Sequence, residues 1–128
     1  METAWDVYLK ACPCRDVLDL VANKWTALML GVLARRPHRF GELRREVAGI
    51  TPKVLTQNLR SLERDGLVSR TVYPTTPPSV EYALTPLGAS ISVILIALNT
   101  WTQDNFDEIR QARATYDATA DALPHPVS

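Results

Sequence analysis

Four side chains that can hydrogen-bond to nucleic-acid bases and phosphates recur at helical spacing in the middle of the chain. They are Lys53, Thr56, Gln57 and Arg60. Residues three or four positions apart lie on the same face of an α-helix, so a helix here would present all four together. Glutamine pairs with adenine through two hydrogen bonds, arginine or lysine pairs with guanine, and threonine hydroxyls reach phosphates or bases. The face suits base and phosphate recognition, and the competing interpretation is an ordinary solvated helix surface.

The residues around this face predict the helix that holds it. Thr51 is a good N-cap, and Pro52 suits the first helical position, where free backbone N–H groups can bind a phosphate. Three leucines form an apolar stripe on the opposite side, and Gly66 is placed to end the helix. The leucines are Leu55, Leu59 and Leu62. The leucine stripe packs against the core, which leaves the polar face without a packing role.

The positive charge of the chain is concentrated around this predicted helix. The 128 residues hold 14 basic and 14 acidic side chains, so the net charge is zero. Residues 35–70 hold nine basic and four acidic residues, a net charge of +5, whereas residues 71–128 hold two basic and six acidic residues, a net charge of −4. A basic segment flanked by acidic ones can bind a polyanion in a neutral protein. Charge alone does not distinguish this interpretation from a solvated surface.

Cys12 and Cys14 are the residues most suited to covalent chemistry. Cys12 lies at or just before a predicted helix N-terminus, where the dipole favours the thiolate, and Arg15 is adjacent. One hypothesis is a thiol that senses oxidants or electrophiles, and the other is a small structural cysteine. A disulfide between subunits or a mixed adduct is expected rather than a Cys12–Cys14 bridge, because residues two apart on a helix point to nearly opposite sides. A metal site with His38 would lack a fourth ligand, so neither a metal nor a cofactor is predicted.

Helical periodicity predicts three further helical regions before the basic helix. Residues 3–10 predict a short N-terminal helix. Apolar residues from 13 to 33 recur at helical spacing, and Asn23 marks a break into two helices because asparagine tolerates the left-handed cap conformation. Residues 39–47 predict another short helix, and a tight connection joins it to the helix at 52–65.

The pattern changes after the glycine that ends the basic helix. The stretches LVSRTVY and VEYALT alternate between apolar and polar residues and predict a β-hairpin, with the proline-rich PTTPPS at its tip. Thr85 and Pro86 repeat the cap-plus-proline signal and open a long helix to about Arg113. This helix is apolar nearly all round between residues 91 and 101, so two of its sides should be buried. Residues from 114 onward predict a frayed tail.

The order of helix, helix, tight turn, helix and β-hairpin is typical of a winged helix-turn-helix, and the motifs make the resemblance specific. The sequence resembles the HxlR family of winged-helix transcriptional regulators, which is related to the MarR type. The matching motifs are CP, NKWT, RFGELRR, ITPKVLTQNLRSLERDGLVSR and TVYPTTPPSVEYALTPLG, and together they cover roughly residues 10 to 105. Ala22 stands where the family tends to have glycine, and Cys14 is additional. The resemblance implies a homodimeric repressor of a palindromic operator, and thiol sensing like that of some members.

We expect one contact surface for double-stranded DNA and another for the second subunit. The recognition helix and the wing would contact the operator, and the preceding helix would position it. The expected DNA contacts are Lys53, Thr56, Gln57, Arg60, Thr51, Pro52, Arg39, Arg44, Arg70, Tyr73, Thr75 and Thr76. Arg45 is a further positioning candidate, although some of these arginines are expected to pair with Glu42 or Glu46. The expected dimer contacts are Trp5, Leu9, Ile91, Ile94, Leu95, Leu98 and Trp101.

The sequence therefore predicts a mainly α fold with a small β-hairpin, a winged helix-turn-helix with N- and C-terminal dimerisation helices. Residues 1–11 would form an N-terminal helical arm, 12–86 the DNA-binding domain, 87–113 the dimerisation helix and 114–128 a flexible tail. No enzyme is predicted, because the cysteines have no apparent base and no phosphate-binding loop is present. The alternative function is a protein–protein interaction module without DNA binding. No signal peptide or membrane span is recognised, so a cytoplasmic protein is expected, controlled by an oxidant or a small-molecule effector.

Overall fold

The computed structural model describes residues 4–120, which form helices around a small antiparallel sheet. The elements follow one another along the chain as α1 (Cys14–Val21), α2 (Lys24–Leu33), β1 (His38–Arg39), α3 (Phe40–Glu46), α4 (Pro52–Arg64), β2 (Val68–Tyr73), β3 (Ser79–Leu84), α5 (Pro86–Asp104) and α6 (Phe106–Ala120). This order, a helix-turn-helix followed by a β-hairpin, confirms the predicted winged helix-turn-helix and its mainly α character.

The starts of α2 and α4 each have a local chemical cause. The Asn23 side chain accepts a hydrogen bond from the Trp25 N–H at 2.8 Å, which separates α2 from α1 at the predicted residue. The expected left-handed conformation of Asn23 is wrong, because its backbone is extended and its side chain caps the following helix. The Thr51 hydroxyl accepts the Val54 N–H at 3.2 Å and caps α4, with Pro52 at the first position. Side-chain oxygens at such positions satisfy N–H groups that have no partner within the helix. Gly66 has a φ of 76° and ends α4, as predicted.

The core lies between α2, α3, α4 and the N-terminal half of α5. Its largest fully buried apolar side chains are Met29, Leu30, Leu43, Leu55, Leu62, Val47 and Val68. Leu59 completes the predicted leucine stripe of α4 and is also buried. Helix α5 packs along α2, where the Asn99 side-chain amide donates to the Ala27 carbonyl at 3.1 Å. The core therefore fixes the orientation of α4 and leaves its opposite face exposed.

The sheet has three antiparallel strands in the order β1-β3-β2. Strands β2 and β3 form the predicted hairpin, with Arg70 opposite Tyr82 and Val72 opposite Val80. The sequence pattern did not predict β1, which has two residues and pairs His38 with Tyr82. The His38 side chain is buried, and its Nδ1 lies 2.7 Å from the Arg36 carbonyl oxygen. Strand β1 anchors the hairpin to the start of α3.

The two ends of the chain differ from the sequence prediction. Residues 4–11 form turns rather than the predicted short helix, with hydrogen bonds from the Leu9 N–H to the Asp6 carbonyl and from the Cys12 N–H to the Leu9 carbonyl. Thr3 and residues 121–128 lie outside the described residues, and with them most of the predicted tail. The expected single helix to about Arg113 is two helices that meet at Asn105, and α6 continues to Ala120. Among residues 4–120, no helix has the length and apolar character that crossing a bilayer requires.

Candidate nucleic-acid interface

The exposed face of α4 presents the four side chains that the sequence singled out. Lys53, Gln57 and Arg60 are exposed, and Thr56 is half-buried beside them. The leucines on the opposite side are at most 2% exposed, so α4 cannot rotate to bury its polar face without exposing the core. The arrangement offers hydrogen-bond donors and acceptors along one side of a 13-residue helix. Such a helix fits the width of a DNA major groove.

The hairpin places its tip residues in solvent. The candidate contact residues Arg70, Tyr73, Thr75 and Thr76 are all exposed. The Tyr73 hydroxyl donates to the Glu81 carboxylate at 3.3 Å, and the Thr75 hydroxyl donates to the Pro77 carbonyl at 2.7 Å. These two hydrogen bonds order the Tyr73 and Thr75 side chains, and neither of them involves Arg70. The role of the tip as a DNA contact stays a prediction.

The arginines of the preceding helix are not paired as the sequence suggested. Glu46 accepts a hydrogen bond from Arg35 at 2.8 Å, and Glu42 lies 3.7 Å from an Arg36 nitrogen. Among residues 4–120, no ion pair joins the Arg39, Arg44 or Arg45 side chains to a carboxylate. The expectation that some of these three arginines pair with the two glutamates is therefore wrong. The carboxylates lie beside Arg35 and Arg36, from the connection between α2 and β1, instead.

The Glu42 carboxylate has a second role at the start of α3. It accepts the Arg39 backbone N–H at 2.8 Å, and this hydrogen bond lowers the pKa of Glu42, with a smaller contribution from the positive charge of Arg36. A carboxylate in the first turn of a helix also faces the positive end of the helix dipole. Glu42 thus holds Arg39 at the junction of β1 and α3.

A groove of about 400 Å³ separates α4 from the base of the hairpin. It is lined by Phe40, Thr56, Leu59, Arg60, Glu63, Arg70 and Tyr82. The Glu63 carboxylate lies 3.4 Å from Arg70 Nε and bridges the groove from α4 to β2. Burial raises the pKa of the Tyr82 hydroxyl, which the charge of Arg70 opposes and the charge of Glu63 reinforces. Both charged groups therefore act on the pKa of the Tyr82 hydroxyl, in opposite directions.

The two cysteines form a disulfide within one chain, with their Cα atoms 5.3 Å apart. The expectation that a Cys12–Cys14 bridge is the less favoured product is therefore wrong. It assumed that both residues lie in a helix, but α1 begins at Cys14, with Pro13 as its N-cap. Cys12 precedes the helix, so its side chain can turn towards Cys14 at a separation that disulfides commonly span.

The predicted dimer residues divide into exposed and buried groups. Ile94, Leu98 and Trp101 are 62%, 51% and 56% exposed, and Trp5 and Leu9 are exposed as well. Leu95 is 4% exposed and Ile91 packs partly against the core, so assigning Leu95 to a surface is wrong. Leu95 belongs to the core of its own protomer, because α5 needs one apolar side to pack against that core. Leu87, seven residues before Ile94, extends the exposed apolar stripe and was not predicted.

Sequence reasoning also missed Glu63 as a member of the candidate interface. Glu63 lies seven positions after Thr56 and three after Arg60, which places it on the same side of α4. That spacing is a signal in the sequence. Its partner Arg70 belongs to a different element, and nothing in the local sequence indicates that the two side chains meet.

Comparisons with known proteins agree with this geometry. The family model described as HxlR-like helix-turn-helix matches residues 20–110. An uncharacterized HTH-type transcriptional regulator of Escherichia coli K12, YtfH, is 42% identical over 108 residues, which cover 84% of this chain and 86% of the relative. The solved structure of a transcriptional regulator designated ytfH, from Salmonella typhimurium, has a TM-score of 0.82 at 40% identity and covers 87% of this chain and 99% of that chain.

The oxidized form of the redox regulator HypR is a further similar structure. Its TM-score is 0.67 at 38% identity, over 73% of this chain and 97% of that chain. The relatives named here are transcriptional regulators, which confirms the prediction of a regulator rather than an enzyme. With the family model covering most of the sequence and the winged helix-turn-helix in place, the chain belongs to the HxlR-like helix-turn-helix family of transcriptional regulators.

Proposed function

We propose that a homodimer of this chain represses transcription by binding a two-fold symmetric DNA operator. The observation that carries the proposal is the exposed polar face of α4, set opposite a buried leucine stripe. Each subunit inserts one α4 into the major groove, and two-fold symmetry of the protein requires two similar half-sites. The half-sites are separated by about one turn of DNA or a multiple of it.

Side chains of α4 read the base edges in this mechanism. Gln57 suits adenine, and Lys53 and Arg60 suit guanine. Thr56 contacts a base or a phosphate beside them. The α4 N-terminus, at Thr51 and Pro52, faces a phosphate, since the positive end of a helix favours an anion.

The remaining contacts fix the position of the dimer on the duplex. Arg70, Tyr73, Thr75 and Thr76 lie along the backbone or the minor groove, and Arg39 and Arg44 bind phosphates from the preceding helix. Contacts of this kind add affinity but no direct sequence information. Their contribution decreases steeply with salt, because each neutralised phosphate releases counterions.

The exposed apolar side chains of α5 and of the N-terminal segment form the dimer interface in this proposal. Ile94, Leu98 and Trp101 lie along one stripe of α5, which a soluble monomer would expose to water. Trp5 and Leu9 add apolar surface from the N-terminal segment. Burying this stripe against its symmetry mate covers the same patch on both subunits.

The cysteines connect the dimer surface to a chemical signal. A hydroperoxide oxidises the Cys12 and Cys14 thiols to the disulfide, and the two thiol hydrogens leave in the products water and alcohol. The Arg15 guanidinium donates to the Val7 carbonyl at 3.2 Å and to the Tyr8 carbonyl at 3.4 Å, so the turns that carry Trp5 are held against the start of α1. Opening or closing the disulfide then changes the spacing of the two α4 helices. The name of the relative HypR, a redox regulator, supports this part of the proposal.

A small effector at the dimer interface is the second form of control that the chain accommodates. An apolar groove of about 450 Å³ lies between α1, the turn after α4 and α5, and its lining includes Val17, Val21, Leu67 and Leu87. A ligand there would touch both the dimer helix and the end of the recognition helix.

The test is fluorescence anisotropy with a duplex taken from upstream of the protein's own gene. A scrambled duplex of equal length serves as the control, and each is titrated at two salt concentrations. Specific binding with a steep dependence on salt supports the operator proposal. If neither this duplex nor a selection from random sequences yields a preferred site, the chain is a protein–protein interaction module instead.

A further inference from the structure

Glu63 is an acidic residue on the face of α4 that the proposed function directs at DNA. It follows Arg60 by three positions and Thr56 by seven, so the three side chains lie along one side of the helix. A carboxylate near a phosphate backbone opposes binding of the polyanion. Its presence on this face calls for a physical explanation.

The structure pairs that carboxylate with the wing. Glu63 Oε1 lies 3.4 Å from Arg70 Nε, and the two side chains are 41% and 45% exposed. An ion pair this exposed contributes little to folding stability, typically about 0–1 kcal/mol. The pair can therefore be broken by a competing anion such as a phosphate at little cost to the fold.

We propose that Glu63 determines specificity by holding and partly neutralising Arg70 until a correctly seated operator supplies a phosphate in its place. The proposal rests on the DNA-binding function proposed above. On an unrelated sequence, α4 does not enter the major groove fully. Arg70 then stays paired with Glu63 and adds little attraction to the DNA backbone. On the operator, the wing reaches the backbone and Arg70 exchanges the carboxylate for a phosphate. The carboxylate thus lowers affinity for random DNA more than affinity for the operator.

The groove around the pair is suited to such an exchange. Arg70 lies opposite Tyr82 in the hairpin register, and both side chains line the groove together with Arg60. Arg70 Nε faces Glu63, which leaves the two terminal nitrogens to bind a phosphate before the carboxylate is released. Arginine can bridge two anions in this way because its five N–H donors point in fixed, different directions.

The test is the Glu63→Gln substitution, measured by anisotropy on a scrambled duplex and on the selected operator. Glu63→Gln should bind the scrambled duplex about threefold more tightly at moderate salt, with a salt slope steeper by about 0.9, as one additional phosphate contact predicts. The ratio of operator affinity to scrambled affinity should decrease. Glu46→Gln is the matched control, because it removes the partner of Arg35 and should leave this ratio unchanged.

A second background separates this mechanism from simple charge repulsion. In Arg70→Gln, adding Glu63→Gln should have no further effect on the affinity ratio. If Glu63→Gln changes the affinity ratio equally with and without Arg70, the proposal is overturned and Glu63 contacts a base directly. If Glu63→Gln weakens binding of both duplexes, the proposal is also overturned, and Glu63 only positions Arg70. If the wild-type chain prefers no duplex at all, the proposed function fails rather than this inference.

Discussion

The hydroxyl of Thr85 donates a hydrogen bond of 2.6 Å to the carbonyl of Gly66, which joins the turn after the recognition helix to the residue before α5. The same hydroxyl accepts the Gly88 N–H at 3.0 Å, and the Thr85 N–H donates to the Leu67 carbonyl at 3.1 Å. Two of these hydrogen bonds connect the turn after α4 to Thr85, and the third caps the start of the proposed dimer helix. A rigid link here would transmit a change in subunit spacing to the recognition helix.

Replacing Thr85 with valine should weaken this link. Thr85→Val keeps the side-chain shape but removes the cap of α5 and leaves the Gly66 carbonyl without its partner, so the free energy of unfolding should decrease by about 1–2 kcal/mol. Urea denaturation followed by circular dichroism measures the change. Thr102→Val is the control, because the Thr102 hydroxyl bonds only the Leu98 carbonyl within its own helix. Equal stability losses in the two variants would contradict a special role for Thr85.

Gly88 should tolerate no side chain at the same junction. A Cβ atom at Gly88 would collide with the Leu67 carbonyl, so Gly88→Ala must push α5 away from the turn after α4. Overpacking of this kind costs about 1–3 kcal/mol. Gly41→Ala is the matched control, since its Cβ would lie 3.8 Å from the Arg45 side chain, an ordinary contact, and alanine favours the helix. Thermal melts should give a lower Tm for the first variant and an unchanged or higher Tm for the second.

Oxidation should produce a bridge within one chain. Treatment of the reduced protein with a hydroperoxide should leave a monomer band on a non-reducing gel, while the mass of the intact protein falls by two hydrogen atoms. Cys14→Ser removes the partner of Cys12, so this variant should lose that mass change. A covalent dimer as the main product of the wild-type chain would contradict the arrangement of the disulfide in the structure.

A charge on the exposed stripe of α5 should separate the subunits. Ile94→Glu places a carboxylate in the proposed interface, where an unpaired charge is costly to bury. Light scattering after size exclusion should change from twice the chain mass of 14.3 kDa to the single mass, with the circular dichroism spectrum unchanged. Thr100→Glu introduces the same charge on another exposed side of α5 and should stay dimeric. A wild-type chain that is monomeric in solution would refute the interface.

Local signals predicted the elements, and contacts between elements were harder to foresee. Thr51 and Thr85 predicted helix starts because a cap depends only on neighbouring residues. The Glu63–Arg70 pair depends on the hairpin folding back onto α4, which no local pattern encodes. In α5, apolar residues on all sides predicted two buried faces but could not distinguish the core residue Leu95 from the exposed Ile94.

The disulfide was missed for a related reason. The expectation applied helical side-chain directions to both cysteines, although Cys12 was placed at or just before the helix N-terminus and α1 begins only at Cys14. One residue of error in a helix boundary changes the direction of a side chain, and boundaries are the least certain part of a sequence prediction. The face of α4, in contrast, was predicted correctly because its four polar residues and three leucines extend over a continuous helix.

The most direct test of the central claim is the affinity of Gln57→Ala for the selected operator and for a scrambled duplex. If α4 reads bases, the variant should lose about 1–3 kcal/mol of operator binding free energy per half-site, with little change on the scrambled duplex. Arg110→Ala, which removes a charge that pairs with Asp107 on α6, is the control and should bind the operator like the wild type. Equal operator affinity for Gln57→Ala and the wild type would contradict base readout by this face of α4.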